Sequence, residues 1–251
     1  MKKDSAVSIR ELRGEHASVI CYPKPSESEF NKRLRELEKL GVTALEFSGG
    51  KKVSNLPVLG KGCVGIVLIA YRKSEKLALK IRRVDADRAK MQNEAKMLKA
   101  ANSIDVGPRL VDVSRNFLLM QFIDGVLFPQ WLEKHVKKSC LKTVLCDVLE
   151  QCWRLDEYGL DHGELSHAPK HLIVDGENKP FIVDFETASL NRRPSNVTSI
   201  AQFLFIRGVV AEKITHKIGV KDKKVIIDAL RQYKTRRNRR NFEAVLKVCG
   251  L

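Results

Sequence analysis

The sequence contains no stretch of eighteen uninterrupted apolar residues, which excludes a membrane-spanning helix. Its opening MKKDSAVSIRELRGEH lacks an apolar core, so no secretory signal is expected, and the resulting expectation is a cytoplasmic protein. Cysteine is sparse: the six (Cys21, Cys63, Cys140, Cys146, Cys152, Cys249) form no CxxC pair, which speaks for free thiols rather than a disulfide scaffold. Internal repeats and low-complexity tracts are also absent. What is abundant is positive charge. Lys and Arg number 46 against 30 acids, a net +16 over 251 residues. Residues 212–251 carry 12 basic and 4 acidic side chains, so +8 of that excess lies in the last forty residues. Such a segment suits a polyanionic partner, RNA or a ribosomal particle, although a merely solvated face has the same composition.

Local punctuation divides the chain. Ser26 with Glu29 forms a capping box ahead of Phe30, Leu34, Leu37 and Leu40 at helical spacing, and Gly41 ends that helix. Short apolar runs at 44–47, 53–59, 64–71 and 77–81, broken by Gly and Lys, predict an antiparallel meander. A helix is expected over 88–101, then strands at 110–113 and 117–122. Beyond Gly125 the pattern turns helical, with helices at 131–136, 140–158 and 197–210 and a hairpin pairing 172–174 with 181–185. Two basic amphipathic helices finish the chain. This order predicts an α+β protein with a β-rich part and a helical part.

Several residues carry chemistry. Gly60-Lys61-Gly62-Cys63-Val64-Gly65 reads G-x-G-x-x-G, and the β-branched run 66–69 places it between strands. That excludes a dinucleotide-binding loop, whose glycines open a helix, and no Gly-Lys-Ser/Thr supports a Walker A loop. The setting is that of a loop folded over phosphates in kinases, with an ordinary hairpin as the plain alternative. Lys80 lies mid-strand in Leu77-Ala78-Leu79-Lys80-Ile81, either as an edge-strand gatekeeper or as a cation aimed into a site. Glu94 shares a helical stripe with Met91, Leu98 and Ala101, where a carboxylate needs a partner, and Lys80 is the obvious one. Asp184, among Phe181, Ile182, Val183 and Phe185, asks for a hard cation with phosphates. His162, His167 and His171 share a proline-broken loop without a cysteine partner, which argues against zinc.

Together with Leu119–Gly125, His162-Gly163-Glu164-Leu165-Ser166 and Val183-Asp184-Phe185-Glu186, these segments resemble the RIO and KEOPS-associated kinases and related archaeal predicted serine/threonine kinases. The resemblance implies a two-lobed protein-kinase-like fold with a β-rich N-lobe at 53–120, a hinge at 121–125 and a reduced C-lobe at 126–211. Residues 1–52 are then an N-terminal extension, and 212–251 are basic helices completing the C-lobe. It further implies ATP and Mg2+ as cofactors and a protein hydroxyl as acceptor. Leu59, Gly60, Gly62, Gly65, Val67, Lys80, Glu94, Gln121 and Ile123 would hold the nucleotide, Asp184 and His171 the metal. Glu164 would be the base, with Asp161 as substitute.

The chain departs from the family pattern in several places. Glu164 replaces an aspartate, and a two-residue insertion within 166–170 puts His171 where an asparagine is usual. Asn196 stands where an aspartate braces the catalytic loop, and a long activation loop is absent. Two other readings follow from the same residues. One is a nucleotide-dependent RNA- or ribosome-docking ATPase or pseudokinase. The other is a small-molecule kinase of the aminoglycoside-phosphotransferase type.

Overall fold

The computed structural model describes residues 6–87, 91–134, 136–219 and 222–251. They fall into two compact units, Met1–Lys96 with Arg109–Phe122, and Met97–Pro108 with Ile123–Leu251. The protein is α+β, with an antiparallel sheet in the first unit and mostly helix in the second.

The first unit holds β1 (Ala6–Ser8), α1 (Glu15–Ile20), α2 (Glu27–Lys39), β2 (Val42–Glu46), β3 (Lys51–Val53), β4 (Leu56–Val58), β5 (Gly60–Lys61), β6 (Gly65–Arg72) and β7 (Glu75–Arg82). It also takes the start of α3 (Gln92–Asn102), then β8 (Leu110–Val113) and β9 (Phe117–Gln121). The main sheet runs β1-β2-β6-β7-β9-β8, with β5 paired to the end of β6. The expected start of α3 at Arg88 lies outside the described residues.

Residues 6–46 are part of this unit, not an appendage to it. β2 pairs with β6, and Leu12, Val19, Ile20 and Leu37 share one core with Leu68 and Leu79. Ser26 caps α2 by accepting the Glu29 amide, but the Glu29 carboxylate turns to Arg33 instead of closing the box. Arg33 is fully buried and donates to the carbonyls of Ile20 and Arg82 and to Asn116 Oδ1. A long cation at that position was invisible in the amphipathic pattern of α2. It locks the helix to the ends of β7 and β9, because removing the buried guanidinium would take its donor from the carbonyls of Ile20 and Arg82, while Asn116 Oδ1 also accepts from Arg82 Nε.

The second unit holds the end of α3, then β10 (Gly125–Leu127), α4 (Phe128–Leu132), α5 (Lys138–Tyr158), β11 (Leu172–Asp175), β12 (Pro180–Ile182), α6 (Asn196–Ala201), α7 (Gly208–Ile218), α8 (Lys223–Thr235) and α9 (Arg239–Cys249). The strands form one small sheet, β10-β11-β12. The single helix predicted over 197–210 is divided: a π-helical turn covers Gln202–Ile206, Arg207 is extended, and Gly208 has φ +85°. A reversal of that kind ends any helix. The basic helices are not a loose tail. Tyr233, Phe242, Val245 and Cys249 are buried, and the Phe242 ring stacks on Trp153 of α5 at 5.1 Å. No described helix is long and apolar enough to cross a membrane.

Candidate active site

In the first unit, β7 lies between β6 and β9, so both its edges are paired. Lys80 is therefore no edge-strand gatekeeper. Its side chain is 7% exposed, and Nζ stands 2.9 Å from Oε1 of Glu94, itself 6% exposed. The stripe of Met91, Glu94, Leu98 and Ala101 is buried throughout, as its spacing demands. Two charges removed from water in this way need each other.

The glycine-rich segment is a β-turn element: Gly60 pairs with Val67, Lys61 with Ile66, and the Gly62 amide donates to Gly65 O at 2.8 Å. Its three glycines are not equivalent. A Cβ on Gly60 or Gly62 would make only ordinary contacts at 3.6 Å, whereas one on Gly65 would stand 3.2 Å from Lys80 Cγ and Cε and 3.0 Å from Ile81 O. Gly65 thus makes room for the Lys80 stem, a reason that the motif alone does not disclose. Leu59, whose amide donates to Val67 O, and Val67 are half-buried beside it. Gln121 uses its side-chain oxygen to accept the Arg109 amide, and Ile123 already belongs to the second unit.

In the second unit, His162, Glu164, His171 and Asp184 converge. His162 donates from Nε2 to Val183 O at 3.1 Å, which sets its tautomer and ties its loop to the strand before Asp184. Phe185 packs edge-on to the His162 ring at 5.1 Å. On its other side stands Gly107 (φ +81°), where a Cβ would meet Phe185 Cε2 at 2.8 Å. The Gly-Pro turn and the Asp-Phe dipeptide, far apart in sequence, are therefore one packing unit. Asp184 has φ +71°, a left-handed backbone that costs energy for a non-glycine residue and is kept where surroundings over-determine it.

His171 is fully buried between two carboxylates. Nε2 lies 2.7 Å from Glu164 Oε2, outside hydrogen-bonding geometry, and Nδ1 lies 3.6 Å from Asp184 Oδ2. Between Glu164 and His171, Leu165–Lys170 is a 3-10 segment kinked at His167, with Pro169 inside it. Asp161, the substitute base, has its carboxylate engaged. Oδ2 accepts from Arg192 Nε at 2.9 Å and Oδ1 from the Ser195 amide at 3.2 Å, while its backbone bridges to Ser189. That arrangement is structural and leaves Asp161 badly placed to take a substrate proton.

Among the described residues no group of three or more His, Cys, Asp and Glu is arranged to hold a metal. The donors fit magnesium differently, since Mg2+ takes one or two carboxylates and fills its shell with phosphate and water. Asp184, with a third of its side chain exposed, offers such an oxygen. His171 does not match as a ligand: it is nitrogenous, buried, and turned along its other edge to Glu164.

Burial lowers the imidazole of His162 to about 4, with His171 beside it acting in the same direction. Burial likewise lowers His171, against the upward pull of Asp184 and Glu164. His162 is thus neutral in the fold near pH 6, while in the unfolded chain it protonates below about 6.5. Stability is complete above that value and is lost as the pH falls toward 4, where the unfolded state binds the extra protons. The expected loss is about 3 kcal/mol for His162 alone. Urea unfolding from pH 7 to 4.5 checks this, and His162→Phe should flatten the dependence.

The residues that sequence reasoning missed are Asp156 and Tyr233. Asp156 is buried at the end of α5, accepts from the amides of Asn196 and Val197, and takes the Tyr233 hydroxyl at 2.8 Å. An acid in a helix that otherwise buries an apolar face was the available signal.

A RIO domain model matches residues 69–200, just over half of the chain. The matched segment begins after the glycine-rich turn and ends before α7. An uncharacterized protein of Methanocaldococcus jannaschii is 32% identical over 117 residues, covering 46% of this chain and 98% of that protein. With the buried Lys80–Glu94 pair and the His162–Asp184 arrangement, this match settles the family: the chain belongs to the RIO domain family of atypical, kinase-like proteins.

Proposed function

We propose that the protein is an ATP-dependent phosphotransferase that moves the γ-phosphoryl group to a serine or threonine hydroxyl of a protein, with Mg2+. The observation that carries this reading is the buried ion pair of Lys80 and Glu94, 2.9 Å apart. A lysine held so by a carboxylate is preset to neutralise phosphate charge rather than to wander. In this reading the Gly60–Gly65 turn covers the phosphates, Asp184 holds Mg2+, and Glu164 accepts the hydroxyl proton. Magnesium, when bound, offsets the charge that develops on the transferring group. The buried His171 stands beside the Glu164 carboxylate, with Nε2 2.7 Å from Oε2. The test is transfer of labelled γ-phosphate to the protein itself or to a generic basic protein. Asp184→Asn should reduce that transfer at least about 100-fold while leaving the melting temperature within a few degrees. Full activity in this variant would remove the assignment.

The basic helices α8 and α9 support a second part of the proposal, docking on an RNA or ribosomal particle. Lys234, Arg236 and Arg240 are exposed. Deleting α9 is a poor test because it strips Phe242 and Val245 from the core. Replacing those three cations by Glu should instead weaken RNA binding and reduce the slope of log K against log salt by about two to three. An unchanged slope would mean that the face is only solvated.

A further inference from the structure

Asn196 has a bonding pattern that an aspartate could not make. Its Oδ1 accepts the His162 amide at 2.9 Å, while Nδ2 donates both to Leu160 O at 2.7 Å and to Asp156 Oδ1 at 2.8 Å. One side chain thus holds the backbone on both sides of Asp161 in the loop that carries Glu164. It needs one acceptor and two donors at once, which a side-chain amide supplies and a carboxylate cannot. The carboxylate expected at this position has in effect moved to Asp156, and Asp156 orients the amide. Reversing that amide would set its oxygen against the carboxylate and its NH2 against the His162 N–H.

Asp156 is in turn oriented by Tyr233. The hydroxyl donates to Oδ2, the oxygen that otherwise receives only the longer 3.3 Å bond from the Val197 amide. Burial raises the Asp156 carboxyl above the usual carboxylate range, against the pull of the donors around it, Tyr233 among them. Tyr233 lies on α8, beyond the segment matched by the RIO domain.

We propose that Tyr233 is a positioning residue for the catalytic loop, acting through Asp156 and Asn196 on the backbone of Leu160 and His162, so that α8 completes the active loop instead of only packing beside it. This inference rests on the phosphotransferase reading for its effect on rate, but not for its effect on the loop. The bland alternative is that Tyr233 merely satisfies a buried carboxylate.

The experiment uses the full chain with Tyr233→Phe, which keeps the ring against Trp153 (5.9 Å) and Phe242 (6.4 Å) and removes one donor. The exchange rate of the His162 amide should rise about tenfold, while amides within α5 stay protected. The kcat for transfer should fall about tenfold with KM for ATP unchanged. Asn196→Asp, nominally a return to the family's residue, should do more damage because it brings two carboxylates together. Adding Asp156→Asn to it should recover part of the His162 protection and of kcat, since the swap restores one donor–acceptor pair. A Tyr233→Phe protein with only a lowered melting temperature, and with His162 exchange and kcat intact, would overturn the proposal. So would a double variant no better than Asn196→Asp. Should the unaltered protein transfer no phosphate to any acceptor, the phosphotransferase reading fails, and the His162 exchange rate in Tyr233→Phe still decides the positioning claim by itself.

Discussion

Lys80→Met is expected to abolish phosphotransfer and, in the same protein, to lower stability by about 3 kcal/mol. The two losses have different origins. Activity goes because the cation preset for phosphate is gone. Stability goes because Glu94, 6% exposed, loses the ammonium 2.9 Å from it while remaining in a stripe of Met91, Leu98 and Ala101. Removing one member of a buried pair costs more than removing both, because the survivor keeps its desolvation penalty. Lys80→Met combined with Glu94→Leu should therefore regain most of the lost stability, to within about 1 kcal/mol, yet remain inactive. Urea unfolding and γ-phosphate transfer, measured on the three proteins, separate these effects. An active Lys80→Met protein would remove the phosphate-clamp role. A double variant as unstable as the single one would show that the pair contributes little to the fold.

Glu164→Gln is expected to reduce transfer at least about tenfold, and by up to the about 100- to 10,000-fold that a positioned base contributes. Glutamate carries its carboxylate roughly 1 Å farther from the backbone than aspartate, and a misplacement of that size can cost about 100-fold. The structure shows what could absorb the extra length. The loop after Glu164 is a kinked 3-10 segment, and its carboxylate is drawn 2.7 Å from the buried His171. Glu164→Asp should then be slower as well, since the shorter side chain abandons His171. His171→Asn should be impaired by a similar factor, because it leaves Glu164 without that contact. A faster Glu164→Asp enzyme would identify the native protein as a degraded kinase. Indifference to all three changes would favour the nucleotide-dependent docking ATPase, because Asp161 is already held by Arg192 and Ser195.

Much of this was legible in the chain before folding. The Lys80–Glu94 partnership followed from one polar member on an otherwise apolar helical stripe, since a lone buried carboxylate demands a cation. Strand β6 and the turn at Gly60–Gly65 followed from the β-branched run 66–69 directly after the glycines. The engagement of the Asp161 carboxylate was not legible: its neighbours in space, Arg192 and Ser195, lie over thirty residues away, and no sequence period connects them. The magnesium role expected of His171 met the same difficulty, because its second edge faces Glu164.

The sequence by itself determined what repeats with a short period or is spelled in adjacent residues. That covers the amphipathic faces, the helix stop at Gly41, the glycine-rich turn, and the identity of the Lys80–Glu94 pair. The tertiary structure alone decided which polar groups meet across long separations. Examples are Arg33 with the ends of β7 and β9, Gly107 with Phe185, and Tyr233 with Asp156. The physical reason is that a buried polar group must find its partner wherever packing delivers one, and packing is set by the whole core rather than by spacing along the chain. The basic C-terminal helices show both sides of this. Their charge was plain from composition, but their place in the core became visible only when Phe242 was found stacked on Trp153.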